Sequence, residues 1–431
     1  MMHALPRRAF LASAAVAIGA HQVVRAEVLG RNGGVAPGDR IAVGVIGSGA
    51  RGSGHAHALM GRKDTKVVAV CDAYRSKCEA LKMQIDDHYA GRGDSSRACA
   101  IYQDFREVLA RDDIDAVVIA SPEHWHGVQG AMAVAAGKDV YGEKALTLTV
   151  AEGRALVEAV RRHGRVFQVG TQQRSSRDFR FACELARNGY LGKLHTVKVG
   201  VPGGRVLPEA PPTPPPPDLD YDAWLGPAPY TPHNDLKGSF NWYFISDYCA
   251  GWIQSWGVHH IDIAQWGVPG LVSGQITIKG KAEFPKNGLA DTSVAWWVEI
   301  QANDGVRLIF SDETQQPHGC RFEGETGWVF VNRSGIWTEP ASVLKTALAS
   351  SDEHLYVSND HHENFLECVR TRREPAAPVE AGHSATTLTL VADIATRLGG
   401  ELTWDWSTER FIGSDEANRM LCRPMRSPWR M

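Results

Sequence analysis

A strand, a glycine-rich turn, a helix and a second strand follow one another over residues 41–72, and this order constrains the fold more than any other feature. The apolar run 41–46 leads directly into three glycines, whose spacing suits a tight strand-to-helix turn beside a pyrophosphate. The helix N-terminus then supplies free N–H groups and a partial positive charge. We interpret this stretch as a dinucleotide-binding fingerprint with cofactor contacts from Gly47, Gly49, Ala50, Arg51, Gly52 and Asp72.

The choice between NAD and NADP depends on two residues that follow the second strand. Asp72 lies 20 residues after Gly52, where a carboxylate can accept hydrogen bonds from an adenosine ribose and repel a 2′-phosphate. Arg75 lies within reach of a 2′-phosphate, so NADP stays open as the alternative. We predict NAD and include Arg75 among the cofactor-binding candidates.

Length and composition are those of a soluble globular protein with two domains. The 431 residues are 43% hydrophobic and 22% charged, with a formal net charge of −3. Without the three arginines of residues 1–26, the formal net charge is 43 − 49 = −6, and this negative charge argues against a nucleic-acid partner. The eight cysteines show neither a CxxC pair nor His/Cys ligand spacing, so we expect no disulfide framework and no zinc site.

The first 26 residues carry the pattern of a twin-arginine export signal. Arg7 and Arg8 precede the short apolar run 12–20, and residues 24–26 offer small side chains to a signal peptidase. The apolar run is too short to span a bilayer, and no other stretch approaches 18 apolar residues. We therefore expect a signal peptide at 1–26, a glycine-rich lead-in at 27–39, and a periplasmic or secreted protein without a membrane anchor.

Export in the folded state has a consequence for the cofactor. Because the twin-arginine route carries folded proteins and free NAD is scarce outside the cytoplasm, we expect NAD to be loaded before export and held tightly. A cofactor that cannot leave must return to its starting oxidation state within each catalytic cycle. The sequence thus favours a redox-neutral reaction.

Strands and helices alternate up to residue 170, which predicts a doubly wound Rossmann domain over residues 40–170. The run 114–120 is continuously apolar, as expected for a strand buried on both faces. Polar segments follow three successive strands, and ligands of open parallel sheets bind outside these carboxyl ends. The further cofactor-binding candidates from these segments are Ser121, His124, His126, Glu143, Lys144 and Gln172.

Taken together, these motifs resemble the Gfo/Idh/MocA oxidoreductase family, whose members include glucose–fructose oxidoreductase and inositol dehydrogenase. The resemblance rests on the fingerprint and on the segments 121–126, 143–144 and 170–174, and it runs from about residue 40 to about residue 410. It implies a second domain with a sheet whose one face covers the active site and whose other face makes a subunit interface. We therefore expect a homo-oligomer, a dimer or a tetramer, that forms through the C-terminal sheet.

Residues 171–431 predict an α+β substrate-binding and oligomerisation domain with an open antiparallel sheet. Period-two alternation marks strands at 194–201, 272–281, 293–301, 306–311, 320–322 and 328–332, and helices are expected at 361–373 and 380–398. The stretch 240–266 is dense in aromatic residues. We assign most of them to core packing and one or two to stacking on a sugar ring.

The segment 251–262 matches the catalytic helix of the family, and the resemblance assigns the catalytic roles to Lys144 and His259. Ser255 stands where the family has an aspartate, so it can hydrogen-bond an imidazole but supplies no charge to raise its pKa. Either Asp247 or Asp262 could replace that carboxylate, with a purely structural role as the alternative. The substrate-binding candidates are Arg174, Asp247, Tyr248, Ser255, Trp256 and His260.

Two further points concern the same site. Ala145 replaces the proline that follows the lysine in the family, which removes any cis-proline constraint on the backbone of the lysine. The adjacent His259 and His260 are candidate metal ligands together with Asp262 or His233. Because neighbours on a helix diverge by about 100°, we predict no metal.

Three functions fit the sequence. The leading one is an exported oxidoreductase of a sugar, polyol or glycoside with a tightly bound nicotinamide cofactor, in which Lys144 polarises the reacting hydroxyl and His259 accepts or relays its proton. The second is an NAD-dependent glycoside hydrolase that works by transient oxidation, elimination, water addition and re-reduction. The third is a non-catalytic sugar-binding protein that retains nucleotide as a structural element.

Overall fold

The computed structural model describes residues 35–94, 98–238 and 240–431. The predicted export signal and the first part of the lead-in, up to residue 34, lie outside these ranges. The described chain forms two sheets with helices around them. Among the helices of this part of the chain, none combines the length and the apolar character needed to cross a membrane.

The first sheet is parallel and doubly wound, as predicted. Its strand order is β3-β2-β1-β4-β5-β6, so the order reverses between β1 and β4. Continuous apolar runs form β1, β2 and β4, and they are buried on both faces. The strands are β1 (Ile41–Ile46), β2 (Thr65–Cys71), β3 (Ala100–Tyr102), β4 (Ala116–Ile119), β5 (Asp139–Gly142) and β6 (Phe167–Val169).

Helices cover both faces of this sheet. Local capping sets two of their starts: the Asp104 side chain accepts a hydrogen bond from the Arg106 N–H, and the Thr149 hydroxyl accepts one from the Glu152 N–H. The helices are α1 (Ala50–Met60), α2 (Arg75–Gly91), α3 (Phe105–Leu109), α4 (His126–Ala135) and α5 (Val150–His163).

The second sheet is mostly antiparallel, with the order β13-β12-β11-β7-β10-β9-β8-β14-β15. The exception to the predicted antiparallel pattern is the pair β7 and β10, which is parallel. The strands are β7 (Leu194–Val201), β8 (Gln275–Glu283), β9 (Ala295–Gln301), β10 (Arg307–Asp312), β11 (Gly319–Gly324), β12 (Gly327–Asn332), β13 (Gly335–Glu339), β14 (Glu401–Asp405) and β15 (Arg410–Ile412).

Helices on the inner face of the second sheet join the two domains. The long helix α11 packs against β8, α9 and α5, and its buried side chains belong to the large apolar core of the second domain. The predicted segment 251–262 is divided at Trp256. The helices are α6 (Arg177–Arg187), α7 (Tyr221–Leu225), α8 (Trp252–Ser255), α9 (Gly257–Gly267), α10 (His361–Thr371), α11 (Val379–Leu398) and α12 (Asp415–Arg419).

Two segments of the second domain reach the carboxyl end of the first sheet. The backbone near Asp218 pairs with residues 73–75, since the Arg75 N–H donates to the Asp218 carbonyl at 2.9 Å. The segment 421–431 is fixed by Arg423, whose guanidinium donates to Glu152 at 2.8 Å, and by Arg426, which donates to the Gly226 carbonyl at 2.9 Å. The edge of the sheet where the fingerprint ends is therefore enclosed.

The close packing of α1 on β1 gives a stability prediction. A Cβ atom at Gly52 would overlap the Gly47 carbonyl oxygen, whereas a Cβ at Gly54, in the same helix, would meet no described atom within 4 Å. Gly52→Ala should lower the free energy of unfolding by about 1–3 kcal/mol, because the backbone must shift. Gly54→Ala should be neutral or stabilising by up to about 1 kcal/mol. Urea denaturation compares the two variants, and equal effects would contradict this account.

Candidate active site

A cavity of about 670 Å³, the first cavity, opens where the strand order of the first sheet reverses. Gly49 lies at its wall, and a Cβ there would meet no described atom within 4 Å, so the backbone faces open space. The described residues provide no side-chain cap for α1, whose N-terminus faces this cavity. Free N–H groups beside an open glycine fit a pyrophosphate. The predicted residues that line this part are Gly47, Gly49, Ala50 and Arg51.

Asp72 lines the same cavity at the end of β2, and its carboxylate is held by backbone. The Ser48 N–H donates to Oδ2 at 2.7 Å, and the Tyr74 N–H donates to Oδ1 at 2.9 Å. Burial raises the pKa of Asp72, and the positive charge of Lys77 opposes that rise. Arg75 is exposed outside the cavity, where it pairs with Glu79 at 2.9 Å. The structure thus brings the carboxylate, but not Arg75, to the candidate ribose site.

The segment after β4 contributes Ser121 and His126 to the cavity wall. The His126 ring is fixed between two carbonyl oxygens, with Nδ1 2.7 Å from Ala145 O and Nε2 2.8 Å from Ser121 O. His124 does not reach the cavity. Its ring is fully buried against Tyr248, and burial lowers the pKa of His124 to about 3. This histidine is therefore a packed neutral side chain in the structure.

Glu143, at the end of β5, is buried and contacts three side chains, two from α1 and one from the segment after β6. Its Oε1 atom accepts from Arg51 at 2.7 Å and from Gln172 at 3.1 Å, and it lies 2.9 Å from His55 Nε2. Burial raises the pKa of Glu143, but the His55 hydrogen bond and the charges of Arg51 and Lys144 outweigh it and hold the pKa well below 4.5. Glu143 is therefore an anion that fixes the backbone immediately before Lys144.

A second cavity, of about 560 Å³, adjoins the first on the side of the second domain. Both cavities are lined by Arg51, Lys144, Phe240 and Tyr243, so Lys144 lies at their junction. The remaining wall combines aromatic and polar side chains, including Gln172, Trp252, Ser255, Trp256, His259 and Arg333. This composition suits a ligand with both apolar faces and hydroxyl groups.

Ser255 contacts Lys144 directly. The lysine Nζ donates to the Ser255 hydroxyl at 2.8 Å and to its carbonyl oxygen at 3.0 Å. The peptide bond between Lys144 and Ala145 is cis, although Ala145 is not a proline. Ala145 is fully buried against Val258 and Ala385.

His259 lines the second cavity, and it is buried and neutral near pH 7. Burial keeps the pKa of His259 well below 6.5, and the charges of Lys144 and Arg333 lower it further. Its Nδ1 atom has no hydrogen-bond partner in the part of the chain that the structure describes. The imidazole can therefore accept a proton, and no described carboxylate orients it.

The structure separates the predicted substrate-binding residues into two groups. Ser255 and Trp256 line the second cavity, whereas Arg174, Asp247, Tyr248 and His260 line neither cavity. Arg174 makes a buried, two-pronged pair with Asp262 at 2.7 and 2.8 Å, so neither side chain is available to His259.

The remaining three residues have structural surroundings. The Tyr248 ring is fully buried 4.8 Å from the Trp224 ring, and its hydroxyl lies 3.1 Å from Thr231 Oγ1. His260 is fully buried beside His318 because the one-residue step along α9 turns it away from His259. The half-buried Asp247 offers its carbonyl oxygen to Arg423.

The candidate metal ligands are also apart. Asp262 pairs with Arg174, and His233 Nδ1 lies 3.1 Å from the Thr213 hydroxyl. Among residues 35–94, 98–238 and 240–431, no group of three His, Cys, Asp or Glu side chains is arranged to hold a metal ion.

Tyr243, Arg333 and Trp429 are three of the cavity residues that the sequence did not predict. Tyr243 stacks on Trp242 at 3.8 Å, and its ring centroid lies 5.7 Å from Lys144 Nζ. Arg333 follows β12 and faces the second cavity, and Trp429 lines the first cavity 4.7 Å from the Trp125 ring. The aromatic density around residue 243 is a signal for Tyr243, whereas neither Arg333 nor Trp429 lies in a recognisable motif.

Family models match both domains. The model described as oxidoreductase family, NAD-binding Rossmann fold, matches residues 41–171. The model described as oxidoreductase family, C-terminal alpha/beta domain, matches residues 204–431. Both belong to the Gfo/Idh/MocA family.

Relatives of two kinds share part of the sequence. The uncharacterized oxidoreductase YrbE of Bacillus subtilis is 24% identical over 65% of this chain and 69% of its own length. The glycosyl hydrolase family 109 protein 2 of Shewanella sp. strain ANA-3 is 28% identical over 36% of this chain. That match spans about a third, 34%, of the glycosyl hydrolase's own length.

Solved structures share the fold. The WlbA dehydrogenase from Bordetella pertussis, in complex with NADH and UDP-GlcNAcA, aligns with a TM-score of 0.62 at 17% identity, over 84% of this chain and 97% of that one. Scyllo-inositol dehydrogenase from Lactobacillus casei aligns with a TM-score of 0.58 at 17% identity, over 84% and 99%. With both domains matched, the chain belongs to the Gfo/Idh/MocA family of NAD-binding oxidoreductases.

Proposed function

We propose that the protein acts on a sugar, polyol or glycoside by hydride transfer at a hydroxyl-bearing carbon, in a redox-neutral cycle with a tightly held NAD. The position of Lys144 carries this proposal. It lies where a cavity that fits a dinucleotide meets a cavity with aromatic and polar walls. A hydroxyl bound there would lie beside both the lysine ammonium and a neutral histidine.

The residues that would hold the cofactor line the first cavity. The N-terminus of α1 and Gly49 would accept the pyrophosphate, and Asp72 would accept hydrogen bonds from the adenosine ribose. A bound nicotinamide ring supplies the acceptor and donor of hydride. The presence of Asp72 in the cavity and the position of Arg75 outside it support NAD over NADP.

The chain's own groups provide the proton chemistry. The Lys144 ammonium would bind and polarise the reacting hydroxyl, while Ser255 and Glu143 fix its side chain and backbone. His259 is neutral and can take the hydroxyl proton. Protonated His259 would lie beside the positive charges of Lys144 and Arg333. That repulsion favours a relay, in which the proton is passed on rather than stored.

A second candidate function is NAD-dependent glycoside hydrolysis by transient oxidation, elimination, water addition and re-reduction. Two observations favour it. The glycosyl hydrolase family 109 relatives share sequence with part of this chain. His259 Nδ1 also has no hydrogen-bond partner among the described residues, whereas the resemblance implies an aspartate one helical turn before the histidine.

Two features outside the cavities support the proposed export and the proposed assembly of the protein. The paired Arg7 and Arg8 support twin-arginine export to the periplasm or beyond. Phe330 and the exposed Trp337 pack together, 5.7 Å apart, on the face of the second sheet that is turned away from its core. This apolar pair supports a homo-oligomer that forms through that face.

The test of the proposed function uses the purified mature protein without added cofactor. Denaturation should release about one NAD or NADH per chain. The native protein should cleave or convert members of a panel of aryl glycosides and free sugars without net change at the reduced-nicotinamide absorbance. Aryl release from glycosides would identify the hydrolase. Empty protein that reduces added NAD with a free sugar would contradict the redox-neutral cycle.

The role of Lys144 gives a second prediction. Lys144→Met should lower the rate of substrate conversion by at least about 100-fold, because the polarising charge is lost. Nucleotide content and the unfolding midpoint should change little. Lys193→Met, at an exposed position outside both cavities, is the matched control and should retain wild-type activity. Full activity in folded Lys144→Met would contradict both enzymatic functions.

Trp429 gives a third prediction, about retention of the cofactor. Its ring closes one wall of the first cavity against Trp125 and Phe105. Trp429→Ala should speed nucleotide release about tenfold, as expected for the loss of one aromatic contact. Tyr230→Ala, which removes an exposed aromatic ring, serves as the control. Release is followed by nucleotide fluorescence after dilution, and an unchanged rate would show that this segment does not retain the cofactor.

A further inference from the structure

The walls of the second cavity carry three positive side chains, of which Arg51 is paired with the neighbouring Glu143. Arg51, Lys144 and Arg333 line it together with His259, and no Asp or Glu is among its lining residues in the described part of the chain. Glu143 borders the first cavity instead, and it already accepts from Arg51, Gln172 and the Lys144 backbone N–H. A ligand in the second cavity therefore meets a net positive wall, which the nearby Glu143 offsets only in part.

Arg333 is the positive side chain of the second cavity that is available to bind a ligand. Its guanidinium makes no hydrogen bond and no ion pair with any residue that the structure describes, and it lies 5.0 Å from the Trp256 ring centroid. Arg333 is an exposed residue at the cavity wall, where partial burial and the charge of Arg51 lower the pKa of its guanidinium and the charge of Glu143 opposes that fall. All five N–H donors of the guanidinium remain available.

Three other arginines near this region are paired with carboxylates, whereas Arg205 stacks on Trp252 at 5.3 Å but lines neither cavity. Arg51 bonds Glu143 at 2.7 Å, Arg174 bonds Asp262 at 2.7 Å, and Arg321 bonds Glu323 at 2.7 Å. Arg321 also stacks on a tryptophan, Trp328, at 4.1 Å, so stacking alone does not distinguish Arg333. What distinguishes Arg333 is a stacked guanidinium without a carboxylate partner at the wall of the second cavity.

We propose that the substrate of this protein is an acidic sugar, whose anionic group is bound by Arg333 while its ring lies in the second cavity. A guanidinium binds a carboxylate, sulfate or phosphate through paired, charge-assisted hydrogen bonds. The Trp256 face beside it offers a stacking surface for the sugar ring. This inference rests on the proposed function, since it names the substrate class for the same site.

The test is direct binding of matched sugars to the nucleotide-containing protein by calorimetry. The pairs are glucuronate with glucose and galacturonate with galactose, and glucose 6-phosphate and glucose 6-sulfate identify the anion. The acidic member should bind at least about tenfold more tightly than the neutral one, with an affinity that falls as salt rises. Steady-state kinetics with methyl glycosides of the same sugars then show whether the acidic member of each pair also has the lower KM.

Substitution then assigns the preference to one side chain. Arg333→Gln should abolish the preference for the acidic sugar and raise its KM about tenfold or more, with nucleotide content and unfolding midpoint nearly unchanged. Arg321→Gln is the matched control, because it removes a guanidinium stacked on tryptophan outside both cavities. The control should keep the full preference for the acid.

The outcomes separate this inference from the proposed function. Equal or tighter binding of neutral sugars, with turnover, would leave the proposed function in place and overturn the acidic substrate. A preference for acids that survives Arg333→Gln would overturn the role of Arg333. Acetate or sulfate that binds as tightly as the sugar acids would show a general anion site. Binding of no sugar at all would overturn both the proposed function and the inference.

Discussion

The buried carboxylate of Glu143 is the interaction on which both cavities depend. It ties α1, through Arg51 and His55, to the end of β5 and to Gln172 after β6. His55 extends the connection to α10, where its Nδ1 lies 2.8 Å from His362 Nε2. Since these contacts keep the pKa of Glu143 low despite its burial, the anion persists at any physiological pH. The residue that follows it, Lys144, is consequently fixed where the two cavities meet.

Partial cover of the first cavity by the second domain is the structural feature that fits the proposed retention of the cofactor. The helix α7 and the segment 421–431 both come from the second domain, and both cover the end of the first sheet. Arg423 and Arg426 hold that segment through hydrogen bonds to backbone carbonyls as well as to carboxylates. Because these contacts cover part of the cavity, they are the contacts on which the proposed retention of NAD would depend.

The sequence predicted those parts of the site whose conformation depends on residues close together in the chain. The fingerprint glycines, Asp72 and the strand ends lie where the sequence places them, because strand and helix periodicity is set by neighbours in the chain. The parallel pair β7 and β10 is a long-range contact, and no local pattern specifies it. Arg333 in a hairpin and Trp429 in an irregular segment reach the cavities through tertiary packing alone. His124 and Tyr248 are the opposite case: the sequence predicted both as site residues, but their rings are buried against each other in the core.

Ser255, at the position where the resemblance implies an aspartate, and the unpaired guanidinium of Arg333 act on the same cavity. Ser255 hydrogen-bonds Lys144 but brings no negative charge, and Arg333 adds a further positive charge. Two unit charges 4 Å apart interact by about 4 kcal/mol at an effective dielectric constant of about 20. An anionic group on the substrate would supply that attraction only when the substrate is bound. The missing protein carboxylate would then be a means of substrate selection rather than a loss of catalytic machinery.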